Sequence, residues 1–194
     1  MKISLIVTDA SPLITLAIAG ALDVLLLPGV QVIIPDLVKF EVIRHIDKPG
    51  ARDILDWLGD HENKEVSVGK TEEYEDFKSI LKDRPNAKSR SRGESAASEV
   101  LAHEIQNGVD AAILLFEDSD IQKANFLIRL PDNVIVMSTS KYLDGLQKRH
   151  WIVSADEILD RAVSARGAKI LDRTILATGG AKALLDTWET GFAL

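Results

Sequence analysis

The stretch LIVTDASPLITLA, Leu5 to Ala17, ends an apolar run on an aspartate and follows it with a Ser-Pro turn. Leu5, Ile6 and Val7 read as a strand buried on both faces, and Pro12 with the apolar residues after it reads as the opening of a helix. Asp9 then stands at the carboxyl end of a strand. Ligands bind at that edge of open α/β sheets, and an aspartate there also caps the helix that follows, so the stretch alone leaves both readings open.

Working outward, strands and helices alternate. Strands are expected at residues 3–9, 30–35, 64–68, 111–116 and 133–138, with the short 64–68 run at an edge. Helices are expected at 12–27 (broken near Gly20), 36–46, 51–59, 71–83, 94–107, 120–130, 139–148, 155–165, 170–178 and 181–188. The polar RPNAKSRSRG, Arg84 to Gly93, is a loop. This alternation implies an α/β fold of three layers, with a mostly parallel central sheet flanked by helices. The expected organisation is one domain over residues 1–150 and a helical C-terminal extension over 151–194, packed on that domain or on a partner.

Composition narrows the chemistry. With 194 residues the chain buries one good core. It holds no cysteine, which removes disulfides, thiolate metal sites and a cysteine nucleophile, leaving oxygen and imidazole ligands. A net charge of −7 opposes diffuse attraction to nucleic acid or anionic lipid and leaves room for a local basic patch. No apolar run is long enough to span a bilayer and no cleavable leader stands at the start, so a cytoplasmic protein is expected. There is no GxGxxG or Walker pattern to hold a nucleotide.

Three further acidic stretches repeat the placement of Asp9 or flank it. Glu41 lies in mid-helix with Leu37, Val38 and His45 on its face, which reads either as a boundary glutamate or as an acid adjoining the buried side. Glu94 occupies the first turn of a helix, where the helix dipole alone accounts for an acid, while Ser95, Ala96 and Ala97 leave space for close approach. Glu117, Asp118 and Asp120 follow a buried strand as Asp9 does; Asp118 is the candidate inward ligand, and Asp120 can cap the next helix. Carboxylates gathered within a few ångströms repel one another and need protons or a divalent cation. Hard oxygen donors favour magnesium or manganese over zinc. Such an ion orients and acidifies a water and neutralises a phosphodiester during in-line displacement. His45, His61, His103 and His150 show no metal-ligand spacing, and Trp57, Trp151 and Trp188 are expected in core or interface.

In VTDASPLITLA, VIIPDLVKFEV, RGESAASEVLA, the strand with EDSD, and VIVMSTSKYLDGL, the chain resembles the PIN-domain nucleases, especially the VapC-like toxin ribonucleases. The segments come in family order from about residue 3 to about 150. The resemblance implies that Asp9, Glu41, Glu94 and Asp118 are catalytic, metal-binding acids, with Ser11, Glu117 and Asp120 as auxiliaries and Mg2+ or Mn2+ as cofactor. It implies a ribonuclease toxin, commonly a homodimer and held inactive by an antitoxin. Lys88, Arg90 and Arg92, in the basic loop, are candidate RNA contacts, although a merely solvated loop explains them equally well. The chain departs from the family pattern at Phe116 and Glu117, where many members carry a small hydroxyl or amide residue, and in the length of the basic loop. The alternative is a catalytically weak or inactive PIN-fold binding module that assembles with a partner. A receiver-like domain fits less well, since only Asp9 ends the first strand and Lys141 matches its lysine poorly.

Overall fold

A computed structural model describes residues 2–89, 92–117, 130–166 and 175–190. Its elements, in chain order, begin with β1 (Ile3–Thr8), α1 (Ala10–Ile18), β2 (Gln31–Pro35), α2 (Asp36–Ile43), α3 (Ala51–His61) and β3 (Val66–Gly69). There follow α4 (Glu72–Asp83), α5 (Arg92–Gln106), β4 (Ala111–Leu115), β5 (Val134–Met137), α6 (Thr139–Lys148), α7 (Ala155–Arg166), β6 (Ile175–Ala177) and α8 (Lys182–Thr190).

The six strands form one sheet in the order β3-β2-β1-β4-β5-β6, parallel except for β6. From β1 the chain winds outward through β2 to β3, then returns to the other side of β1 for β4 and β5. The direction reverses between β1 and β4, which makes their carboxyl ends the switch point where such sheets leave a crevice. The amide of Asp9 donates to the carbonyl of Leu115 at 3.1 Å, so the chain ends of these two strands are tied side by side.

Alternate residues of the central strands feed two cores, one on each face. Ile6, Ile113, Leu115, Ile135 and Met137 pack with α1, α3, α6 and α7. Leu5, Val7, Ala112, Leu114, Val134 and Val136 pack beneath Ala97, Val100 and Leu101 of α5. Both faces are covered, so these strands are continuously apolar rather than alternating. A register shift between Ile3 and Leu5 lets Ile3 share a core with Ile6.

Helix starts follow the expected chemistry. Thr71 accepts from the amide of Tyr74, and Ser138 from that of Lys141. Asp36 accepts from Thr71 Oγ1 at 2.7 Å, linking the start of α2 to that of α4. The expected break near Gly20 is present: α1 ends before it, Gly20 takes φ +61°, and a short 3-10 turn covers Leu22–Leu25.

Some expectations are corrected. α2 ends at Ile43 instead of continuing to Ile46, because the chain turns ahead of Pro49 with the amide of Lys48 donating to His45 O at 3.0 Å. The helix expected at 170–178 is contradicted at its end: Ile175–Ala177 form β6, which pairs antiparallel with β5 through Ile135, Val136 and Met137. That strand is chosen by the free edge of β5, a tertiary partner invisible in a three-residue apolar run. The helix expected at 120–130 lies outside the described residues except for Leu130. Trp57 and Trp188 are buried, whereas Trp151 stays 38% exposed, beside Arg149. Among the described residues no helix is long and apolar enough to cross a membrane.

Candidate functional site

At the switch point a cleft of about 620 Å³ opens between the end of α2, the segment 86–89 and the first turn of α5. Asp9, Ser11, Glu41 and Glu94 line it together with Ala10, Gly93 and Phe116. Three acids that are 32 or more residues apart in sequence are thus brought to one place.

Asp9 arrives there because β1 ends at Thr8 and α1 begins at Ala10, leaving Asp9 extended between them with φ −81° and ψ 175°. It occupies the N-cap position without a side-chain capping bond to the helix. Burial is the largest influence on its carboxyl group and pushes its pKa up from 3.8 to about 7. The charges of Glu41 and Glu94 push the same way, and the nearby amides of Ala10 and Ser11 only partly offset them. Among the described residues, two acids and two amides act on this carboxylate beside its burial.

Glu41 is half-buried on the face of α2 turned to the cleft. Burial raises its pKa, and a hydrogen bond donated by the Ser89 hydroxyl works against that rise. Glu94 sits in the first turn of α5, next to Gly93. A Cβ on Gly93 would lie 2.9 Å from Asp9 Oδ1 and 3.5 Å from Glu41 Oε2, so the two carboxylates converge on a bare Cα. Glycine lets α5 approach them. A Cβ at Gly93 would force α5 or these carboxylates to shift, so Gly93→Ala is expected to lower the urea midpoint, and an unchanged midpoint would show that the close approach is not needed.

The remaining expected residues separate. Ser11 and Lys88 line the cleft. Glu117 is not among the cleft's lining residues, and it accepts from Thr15 Oγ1 at 2.8 Å, which anchors it to α1. Arg92 turns toward α4, where it pairs with Glu73 and lies 5.6 Å from the centre of the Phe77 ring. Arg92 is not among the residues that line the cleft. Arg90, Asp118 and Asp120 lie outside the described residues. Among the described residues no three of His, Asp and Glu close into a group at metal-holding distance.

Sequence reading missed Arg44, His45 and Lys48, which line the cleft beside Glu41. Helical spacing from Glu41 could not have shown this, because α2 ends at Ile43 and the turn after it carries Arg44, His45 and Lys48 to the cleft. Phe40 also lines the cleft, and the Arg44 guanidinium lies 5.2 Å from its ring centre.

No curated protein and no solved structure gave a match to the chain. A family model described as a PIN domain matches residues 5–118, more than half of the 194-residue chain, and spans all four acids expected at the site. The chain, with its acid-lined cleft at the switch point of a mostly parallel sheet, belongs to the PIN-domain family.

Proposed function

We propose that this PIN domain, a member of a nuclease-type family, is a divalent-metal-dependent endoribonuclease that hydrolyses RNA phosphodiester bonds. The observation that carries the reading is the charge around Asp9: a carboxylate enclosed by protein whose pKa is pushed up by burial and by the facing charges of Glu41 and Glu94. Such a set fits a hard divalent ion, and the donors are all oxygen. Asp9, Glu41, Glu94 and Asp118 would hold Mg2+ or Mn2+. When bound, the ion supplies charge neutralisation at the phosphodiester and an acidified water as nucleophile.

The chain's own groups prepare that place. The amides of Ala10 and Ser11 steady the Asp9 carboxylate, the Ser89 hydroxyl steadies Glu41, and Gly93 keeps the approach from α5 open. Phe40 and Phe116 supply apolar wall, which strengthens electrostatic interactions within the cleft. Ser11, which lines the cleft beside Asp9, would assist as an auxiliary polar group, as would Glu117 and Asp120 by the family resemblance.

The likeness to VapC-like toxins supports a finer reading, that the enzyme is the toxin of a toxin-antitoxin pair, works in the cytoplasm as a homodimer, and is silenced by a protein that covers the acids. A second reading has one specific support. Phe116 lines the cleft where many family members carry a small polar residue, which favours a catalytically weak binding module.

Cleavage of a mixed RNA pool by purified protein in manganese decides between them. The expected result is cutting by the wild type that EDTA stops and that an Asp9→Asn, Asp118→Asn double variant lacks. Cutting by the double variant would remove the acids from the mechanism, and failure of the wild type to cut would leave the binding module as the better reading.

A further inference from the structure

The chain carries 30 acidic residues and 23 basic ones, yet among the described residues the cleft does not share that excess. Against Asp9, Glu41 and Glu94 it presents Arg44, Lys48 and Lys88, with His45 beside them. His45, Lys48 and Lys88 are exposed, and among the described residues neither lysine takes part in an ion pair. The cations occupy the rim, whereas Asp9 and Glu41 are half-buried within the cleft.

Arg44 has a different task from the lysines. Its guanidinium donates to Ala87 O at 3.2 Å and to Pro85 O, and lies against the Phe40 ring. Ala87 packs with Phe40 on the small cluster of Leu37, Phe77 and Ala96. These contacts strap residues 85–87 to α2, and the next two residues follow from them: Lys88 faces the cleft and Ser89 reaches Glu41.

We infer that His45, Lys48 and Lys88 form a phosphate-binding rim that lays a single-stranded polynucleotide across the acidic cleft, with Arg44 as the residue that positions the Lys88 side. This deepens the nuclease reading and rests on it for the identity of the polymer. Cations at the rim grip phosphates flanking the one lowered toward the acids, so the overall negative charge of the protein does not prevent binding. A stiff duplex holds its phosphates on the outside of a cylinder and cannot lower one to half-buried Asp9. A flexible single strand can.

Fluorescence anisotropy with a labelled single-stranded RNA of about twelve nucleotides, in EDTA so that binding is read apart from metal-dependent cleavage, tests the rim. Lys48→Gln and Lys88→Gln are each expected to weaken binding and to lower the slope of log affinity against log salt by about 0.7. Lys2→Gln, at the opposite end of the sheet, leaves both unchanged, and the same sequence as a duplex binds more weakly. In an Arg44→Gln background Lys88→Gln adds little further loss, and Arg44→Lys does not restore binding because it lacks the two-pronged donor. Slopes of the lysine variants equal to that of Lys2→Gln, or duplex bound as tightly as single strand, would overturn the rim. Independent losses for Arg44 and Lys88 would overturn the positioning role. Rim-dependent binding without manganese-dependent cutting would sink the nuclease reading and spare the rim; cutting without rim dependence would do the reverse.

Discussion

Asp9→Asn is expected to stabilise the metal-free protein at pH 8 while abolishing its response to manganese. Folding lifts the Asp9 pKa from 3.8 to about 7, so between these values the folded state holds a proton that the unfolded chain has released. Stability is then fullest below about pH 4 and falls as the pH rises through 7. At about 1.4 kcal/mol per unit, the penalty at pH 8 reaches about 4 kcal/mol at most, and the raised pKa of Glu41 acts in the same direction. Asparagine keeps the shape and removes the charge. Urea unfolding in EDTA at pH 5 and pH 8 reads the effect: the wild type loses stability between the two, and the variant loses less. Equal losses would mean that Asp9 is not under electrostatic strain.

The second large effect concerns the C-terminal segment. Trp188 of α8 is fully buried and stacks on Tyr142 of α6, with ring centres 5.5 Å apart. It lies against Gly145, where a Cβ would come within 2.2 Å of its Nε1. Arg149 donates to the carbonyls of Gly145 and Trp188, each at 3.1 Å, and its guanidinium sits 4.5 Å from the indole centre. Trp188→Ala is expected to cost about 3–5 kcal/mol, since it opens a large cavity and strips Arg149 of its cover. Trp151→Ala, at a ring that is 38% exposed, costs far less. Urea midpoints compare the two, and equal losses would show that α8 contributes little to the core.

The parts of this fold legible in the sequence were those decided by local chemistry. β1, β4 and β5 are buried on both faces, so each is an apolar run that no amphipathic helix would produce. The starts of α4 and α6 carry their capping hydroxyls at Thr71 and Ser138. Asp9, Glu41 and Glu94 were singled out because each lies on an element whose end flanks the same sheet edge, and all three line one cleft.

What the sequence did not disclose depends on distant partners. β6 exists because β5 offers it an edge. Arg92 was read as an RNA contact, and its pairing with Glu73 requires α4 to pack against α5. Arg44 drew no reading from the sequence, because its role depends on the segment 85–87 folding over it. The absence of a capping bond at Asp9 could not be read from an Asp-Ala-Ser sequence that suits capping well.

The account turns on whether the acids of the cleft hold a divalent cation, and thermal unfolding with and without manganese at pH 8 tests this most directly. The wild type is expected to gain about 2.7 kcal/mol at a hundredfold excess of manganese over its dissociation constant, and Asp9→Asn to gain nothing. A wild type whose melting temperature manganese leaves unmoved, or an Asp9→Asn variant stabilised as much as the wild type, would contradict it.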